Sequence, residues 1–227
     1  MVKGIKICGV SDQETLNYIL KHQFPPKFIG FITNYKKSRR YVEFEKLKKL
    51  INIKKKKTSF VSVLVNPDDK ILEKIKNLNF DFYQLYDVSP KRTKMIKEKY
   101  NIKVITAITI KSQKDVNNYK NFDMISDLIL FDGKGYEKSI GFNHELLNSV
   151  PNSVNKMIAG NIKIEDISKF KNKDYFIDLS GSLENEKGKK DLKKINKLLN
   201  IGIWMKIKKG IPVIDQGDRL GFWGGKF

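Results

Sequence analysis

Short apolar runs rich in β-branched and aromatic residues recur along the chain at nearly even spacing. They cover residues 4–8, 28–32, 60–65, 82–85, 103–107, 128–131, 156–159 and 175–179. Each is short enough for a buried strand and is bounded by polar or glycine-containing stretches. Between consecutive runs the period changes to that of a helix. Leu47, Leu50 and Ile51 share one face; so do Ile71, Leu72, Ile75 and Leu78, and again Ile195, Leu198 and Leu199. Ser11 with Glu14, and Ser89 before Pro90, read as helix starts.

Eight strands alternating with eight helical segments predict a parallel sheet with helical crossovers, and eight units suit closure into a (β/α)8 barrel. An open doubly wound sheet is the competing arrangement, and six units would favour it. No Gly-x-Gly-x-x-Gly follows the first run, which removes a dinucleotide fingerprint. At 227 residues the chain is slightly short for a barrel of roughly 250. The pattern breaks after residue 199. The expectation is one barrel domain over 1–199 and a poorly ordered extension over 200–227, rich in glycine and aromatics.

Composition narrows the function classes. No apolar stretch approaches the ~18 residues of a membrane span, and the opening ten residues are too short for a signal peptide. A single cysteine excludes an internal disulfide or a cysteine-cluster zinc site. His22 and His144 form no ligand pattern with carboxylates, so neither metal nor cofactor is expected. Together these features predict a cytoplasmic protein. The net charge is +20, yet arginine occurs only at 39, 40, 92 and 219. Nucleic-acid readers concentrate charge on one face and lean on arginine. Spread lysine therefore reads as a solvated surface, and the run 54–57 as an exposed loop.

In such a barrel the chemistry sits at the C-terminal ends of the strands. The first run ends Lys6-Ile7-Cys8-Gly9, and alternation points Lys6 and Cys8 the same way. A cation beside a thiol favours the thiolate, so Lys6 is expected to tune Cys8. The sixth run ends at Asp132, a carboxylate at the mouth and across the barrel from Cys8. A base and an acid on two sides of one ligand suit proton transfer. The adjacent Arg39 and Arg40 suit an anionic ligand. The small residues of Ile158-Ala159-Gly160-Asn161 and of Asp178-Leu179-Ser180-Gly181-Ser182 follow the seventh and eighth runs, the habitual phosphate site of this fold.

Taken in order, these segments resemble the phosphoribosylanthranilate isomerases of the tryptophan pathway. The resemblance is carried by Lys6-Ile7-Cys8-Gly9, Lys37-Ser38-Arg39-Arg40-Tyr41-Val42, 60–66, Gln84-Leu85, 128–132, Ile158-Ala159-Gly160, and 178–184 followed by Gly188-Lys189-Lys190-Asp191. It implies a (β/α)8 barrel and an Amadori rearrangement of N-(5′-phosphoribosyl)anthranilate, without a cofactor. By resemblance Asp132 is the general acid and Cys8 the general base. Arg40 contacts the anthranilate, Asp178 is a substrate-binding carboxylate, and Gly160, Asn161, Ser180, Gly181 and Ser182 hold the phosphate. The partner is then a small phosphosugar, with neither membrane nor nucleic acid.

The chain departs from the family pattern in four places. Gln84-Leu85-Tyr86-Asp87 stands for Gln-Leu-His-Gly, and Asn161 for a second glycine. Ser180-Gly181-Ser182 stands for Ser-Ser-Gly, and only Gly133, Gly135 and Gly141 remain of a glycine-rich loop. The end, Gly221-Phe222-Trp223-Gly224-Gly225-Lys226-Phe227, resembles the opening of the tryptophan synthase β chain, with aromatic anchors for a contact with that chain. Two other readings stay open. One is a related phosphate-binding barrel such as indole-glycerol-phosphate synthase, whose catalytic lysine and glutamate set has no counterpart among these strand ends. The other is a non-catalytic, lysine-rich nucleic-acid binder, which tight, salt-sensitive binding would reveal.

Overall fold

A computed structural model of the chain describes residues 2–133 and 140–207, with backbone only for 202–207. Eight parallel strands close into a barrel in sequence order: β1 (Gly4–Cys8), β2 (Phe28–Ile32), β3 (Ser59–Val65), β4 (Phe82–Tyr86), β5 (Lys103–Ile110), β6 (Leu128–Gly133), β7 (Lys156–Ile158) and β8 (Tyr175–Leu179). β8 returns to pair with β1, Lys6 standing opposite Asp178. The open-sheet alternative is thereby excluded.

The outer layer contains α1 (Gln13–Lys21), α2 (Phe44–Leu50), α3 (Asp69–Ile75), α4 (Pro90–Tyr100), α5 (Gln113–Asn117) and α6 (Leu192–Ile207). Two of the eight expected helical segments are not α-helices. Short 3-10 segments, His144–Ser149 and Ile164–Phe170, follow β6 and β7. They still bury Leu147, Ile167 and Phe170 against the sheet, so the periodicity was that of a face rather than of a full α-helix.

Local chemistry fixes the ends. Ser89 caps α4, with Pro90 in the first turn, where its missing N–H costs nothing. The cap of α1 is Asp12, one residue later than expected, because its carboxylate accepts from the Thr15 amide at 2.8 Å. The last helix runs on to Ile207, so residues 200–207 continue the helix. Gly135 and residues 208–227, with the proposed anchors Phe222, Trp223 and Phe227, lie outside the described residues. Among the described residues no helix is long and apolar enough to cross a membrane.

Alternation along the strands makes two cores. Ile7, Ile29, Phe31, Phe60 and Leu64 face the helices. Cys8, Phe28, Val61, Val63, Ile105, Leu130 and Met157 fill the barrel. Near the strand N-termini Phe28 meets Phe82 and Phe176 edge-on at 5.4 and 5.2 Å, closing the lower end. Polar groups on inward positions can therefore gather only toward the C-terminal mouth.

Candidate active site

The inward positions at the top of the barrel open onto one cavity. Cys8 of β1, Asp132 of β6 and Asp178 of β8 line it, with Arg40 from the loop after β2. Gly160 and Asn161 line it from the loop after β7, and Ser180, Gly181 and Ser182 from the loop after β8. The nine residues that the resemblance assigns to catalysis, substrate and phosphate thus border the same space.

Below the mouth, Lys6 is wholly buried and its Nζ donates to Asp178 Oδ2 at 2.6 Å. The contact is that of an ammonium on a carboxylate. Burial alone would pull the Lys6 ammonium down, but Asp178 and Cys8 together hold it above its ordinary value. Burial pushes the Cys8 thiol up, and the Lys6 ammonium opposes this without cancelling it. Lys6 thus acts on the thiol in the expected direction, but burial outweighs it and the thiol stays above its ordinary value. Gly30 makes the arrangement fit. A β-carbon there would lie 2.9 Å from the sulfur of Cys8 and 3.1 Å from the Lys6 terminus.

This pair yields a stability prediction. In Lys6→Met the Asp178 carboxylate keeps its buried place without its cation, and breaking a buried pair costs about 3–5 kcal/mol. Urea unfolding should show that loss, and Lys6→Met/Asp178→Leu should recover most of it. A single variant within ~1 kcal/mol of the parent contradicts the ion-pair reading.

On the opposite wall Asp132 accepts a hydrogen bond from the Tyr86 hydroxyl at 2.8 Å. Burial pushes its carboxyl up to about 6; Tyr86 opposes the shift, Asp178 adds to it, and Lys6 opposes it. A carboxylic acid that keeps its proton near neutrality is suited to giving it away.

Arg40 is held by a carboxylate from the loop after β8. Its Nε and Nη2 donate to the two oxygens of the buried Glu184, the second at 3.2 Å, and Arg39 Nη2 reaches Glu184 at 2.5 Å. Lys190 adds a third cation, at 3.3 Å from Glu184 and 2.9 Å from the Ser180 carbonyl. Burial brings the Lys190 ammonium down to about 8. Sequence reasoning missed this cluster as a unit. Its signal was Glu184 and Lys190 flanking an excursion that ends where α6 begins, with two arginines in the loop after β2, on the other side of β1.

The anion loops have the backbone their residues allow. Gly160 lies at φ +89° and Asn161 at φ +54°. Asn tolerates the left-handed region better than most residues, so it can stand where the pattern carries a glycine. Asp87, at φ +55°, does the same after β4. Ser182 Oγ is buried with no hydrogen-bond partner among the described residues, as is Asp178 Oδ1. Two unsatisfied polar atoms on one cavity wall are what a polar ligand would complete. His22 and His144 stay outside the cavity lining. His22 contacts Asn196, and His144 sits between Phe142 and Phe170 and contacts the Ala159 carbonyl.

A family model described as N-(5′-phosphoribosyl)anthranilate (PRA) isomerase matches residues 5–201. The chain is 30% identical over 222 residues to the N-(5′-phosphoribosyl)anthranilate isomerase of Agrobacterium fabrum, covering 92% of this chain and 100% of that one. Against the enzyme of the same name from Campylobacter jejuni it is 30% identical, covering 86% and 96%. The fold superimposes on phosphoribosyl anthranilate isomerase from Thermotoga maritima with a TM-score of 0.77 at 24% identity, covering 88% of this chain and 98% of that one. It superimposes with a TM-score of 0.74 at 23% identity on a phosphoribosyl anthranilate isomerase in complex with reduced 1-(o-carboxyphenylamino)-1-deoxyribulose 5-phosphate, covering 88% and 97%.

Proposed function

The chain belongs to the N-(5′-phosphoribosyl)anthranilate isomerase family, and from that premise we propose that Asp132 and Cys8 carry out its reaction as an acid–base pair. The reaction is the Amadori rearrangement of N-(5′-phosphoribosyl)anthranilate to 1-(2-carboxyphenylamino)-1-deoxyribulose 5-phosphate in tryptophan biosynthesis. The observation that carries the assignment is the shared cavity with Cys8 on one wall, Asp132 on another and the two small-residue loops beside them.

Asp132 gives its proton to the ribose ring oxygen. The C1′–O bond breaks with its electron pair going to that oxygen, and the anthranilate nitrogen becomes part of an iminium. Cys8, as thiolate, then takes the C2′ proton. The electron pair left behind forms the C1′–C2′ double bond and neutralises the nitrogen. Protonation at C1′ and loss of the C2′ hydroxyl proton give the ketone. Arg40, oriented by Glu184, offers its guanidinium to the anthranilate carboxylate. Asp178 accepts from a sugar hydroxyl, and Gly160, Asn161, Ser180, Gly181 and Ser182 receive the phosphate. A lone thiol that must stay reduced fits a cytoplasmic setting.

The protonation states give the test its shape. The working form has Asp132 neutral and Cys8 ionised, yet the carboxyl titrates at about 6 and the thiol above its ordinary range. Below pH 6 the acid is saturated and the thiolate grows about tenfold per pH unit. Above it, loss of the acid offsets gain of thiolate. The parameter kcat/KM, which reports the free enzyme, should rise to about pH 6, then stay flat until the thiol titrates. The loss of substrate fluorescence measures it. No acceleration at any pH overturns the isomerase reading, and a steady fall from pH 6 upward overturns the protonation assignment.

A further inference from the structure

Tyr86 stands where the family pattern carries a histidine, and its place in the barrel gives the phenol a task. It is the last residue of β4, two positions beyond Gln84, so both side chains point inward. The Gln84 amide donates to the Tyr86 oxygen at 3.2 Å, and that hydroxyl donates to Asp132 Oδ2 at 2.8 Å. Gln84 is wholly buried and Tyr86 nearly so. With its acceptor side filled by the amide, the phenol has one hydrogen to give, and it goes to Asp132. The carboxyl proton of the neutral acid then sits on Oδ1. When Asp132 loses that proton, a hydrogen bond to a neutral acid becomes one to a carboxylate, about twice as strong.

Building on the isomerase reading, we propose that Tyr86, fixed from below by Gln84, is the positioning residue that orients Asp132 and eases release of its proton. A phenol does this without adding a charge. Burial pushes its own ionisation well above the ordinary phenol range, so it donates at every working pH. The other titratable groups facing this pair come from two strands. Asp178 of β8 holds Asp132 up, Lys6 of β1 brings it down, and Cys8 of β1 and Asp178 both keep Tyr86 neutral. None of them changes in a Tyr86 variant, so the variant isolates the phenol.

The test is direct titration of Asp132 by carboxyl 13C NMR, with the resonance assigned by its loss in Asp132→Asn. Wild type should titrate at about 6. Tyr86→Phe keeps the ring in its packing and should move the midpoint up by about one unit, the worth of one hydrogen bond to a charged group. Gln84→Leu, which leaves the phenol free to turn, should move it the same way by less. The pH at which kcat/KM levels off should follow the NMR midpoint in each variant, a displacement that loss of packing alone does not produce. Because the titration needs no turnover, an inactive wild type would sink the isomerase reading alone. An unmoved midpoint in folded Tyr86→Phe, or in Gln84→Leu should the first variant fail to fold, overturns this one.

Discussion

Asp132→Asn should lower kcat/KM for phosphoribosylanthranilate by about 10²–10⁴, the usual contribution of a positioned general acid. The side chain keeps its shape, and its carbonyl oxygen can still accept from Tyr86, whose hydroxyl lies 2.8 Å from the carboxylate. What disappears is a proton that can be given up. Opening the ribose ring separates charge at the ring oxygen, and an amide cannot neutralise it. KM should change little, because the phosphate loops and Arg40 lie on other strands' loops. Fluorescence assays on a variant with unchanged near-UV circular dichroism make the comparison. Retention of a tenth or more of wild-type kcat/KM would contradict the acid role.

Cys8→Ala should cost a similar factor, about 10²–10⁴, by a different route. Ring opening stays available because Asp132 is intact, but no base receives the C2′ proton. The change also removes one of the two titrations behind the flat pH profile. Whatever activity remains should depend on neutral Asp132 alone and fall about tenfold per pH unit above pH 6. This change of shape separates loss of the base from general damage. Packing damage should be small, since the sulfur occupies space kept open by Gly30. A variant that retains the plateau would remove Cys8 from the chemistry.

Where strands are read from sequence, the legible quantity is which residues must be buried. β1, β2 and β8 are recovered residue for residue because their apolar runs end abruptly in polar or glycine positions. β5 runs three residues past the expected 107, since Ile108, Thr109 and Ile110 pair with Phe131, Asp132 and Gly133. The run itself continues through Ile108-Thr109-Ile110, and pairing with the next strand, β6, uses all of it. The segments after β6 and β7 are legible in part. Their apolar faces are visible in the sequence, but apolar spacing alone does not separate a 3-10 turn from an α-helix.

The candidate site divides along the same line. Residues whose chemistry is unusual for a strand end, Cys8 and Asp132, announce themselves. Residues that matter through a neighbour do not. Lys6 was visible as an inward cation, but its pairing with Asp178 depends on the closure of β8 onto β1. Tyr86 was visible only as a departure from a pattern. Its contact with Asp132 needs β4 and β6 to present their last inward side chains at one height. Glu184 gathers Arg39, Arg40 and Lys190 from two loops that are adjacent only in the closed barrel.

The central claim is that Cys8 and Asp132 address one bound sugar from two sides, and a crystal structure of this protein with reduced 1-(o-carboxyphenylamino)-1-deoxyribulose 5-phosphate reads it directly. The Cys8 sulfur should lie about 3–3.5 Å from C2′, the separation of reacting atoms in a productive complex. The Asp132 carboxyl should lie within hydrogen-bond reach of the oxygen that came from the ribose ring, with the phosphate on the loops of Gly160 and Ser182. An analogue bound with its phosphate on those loops but its C2′ turned away from the sulfur would contradict it.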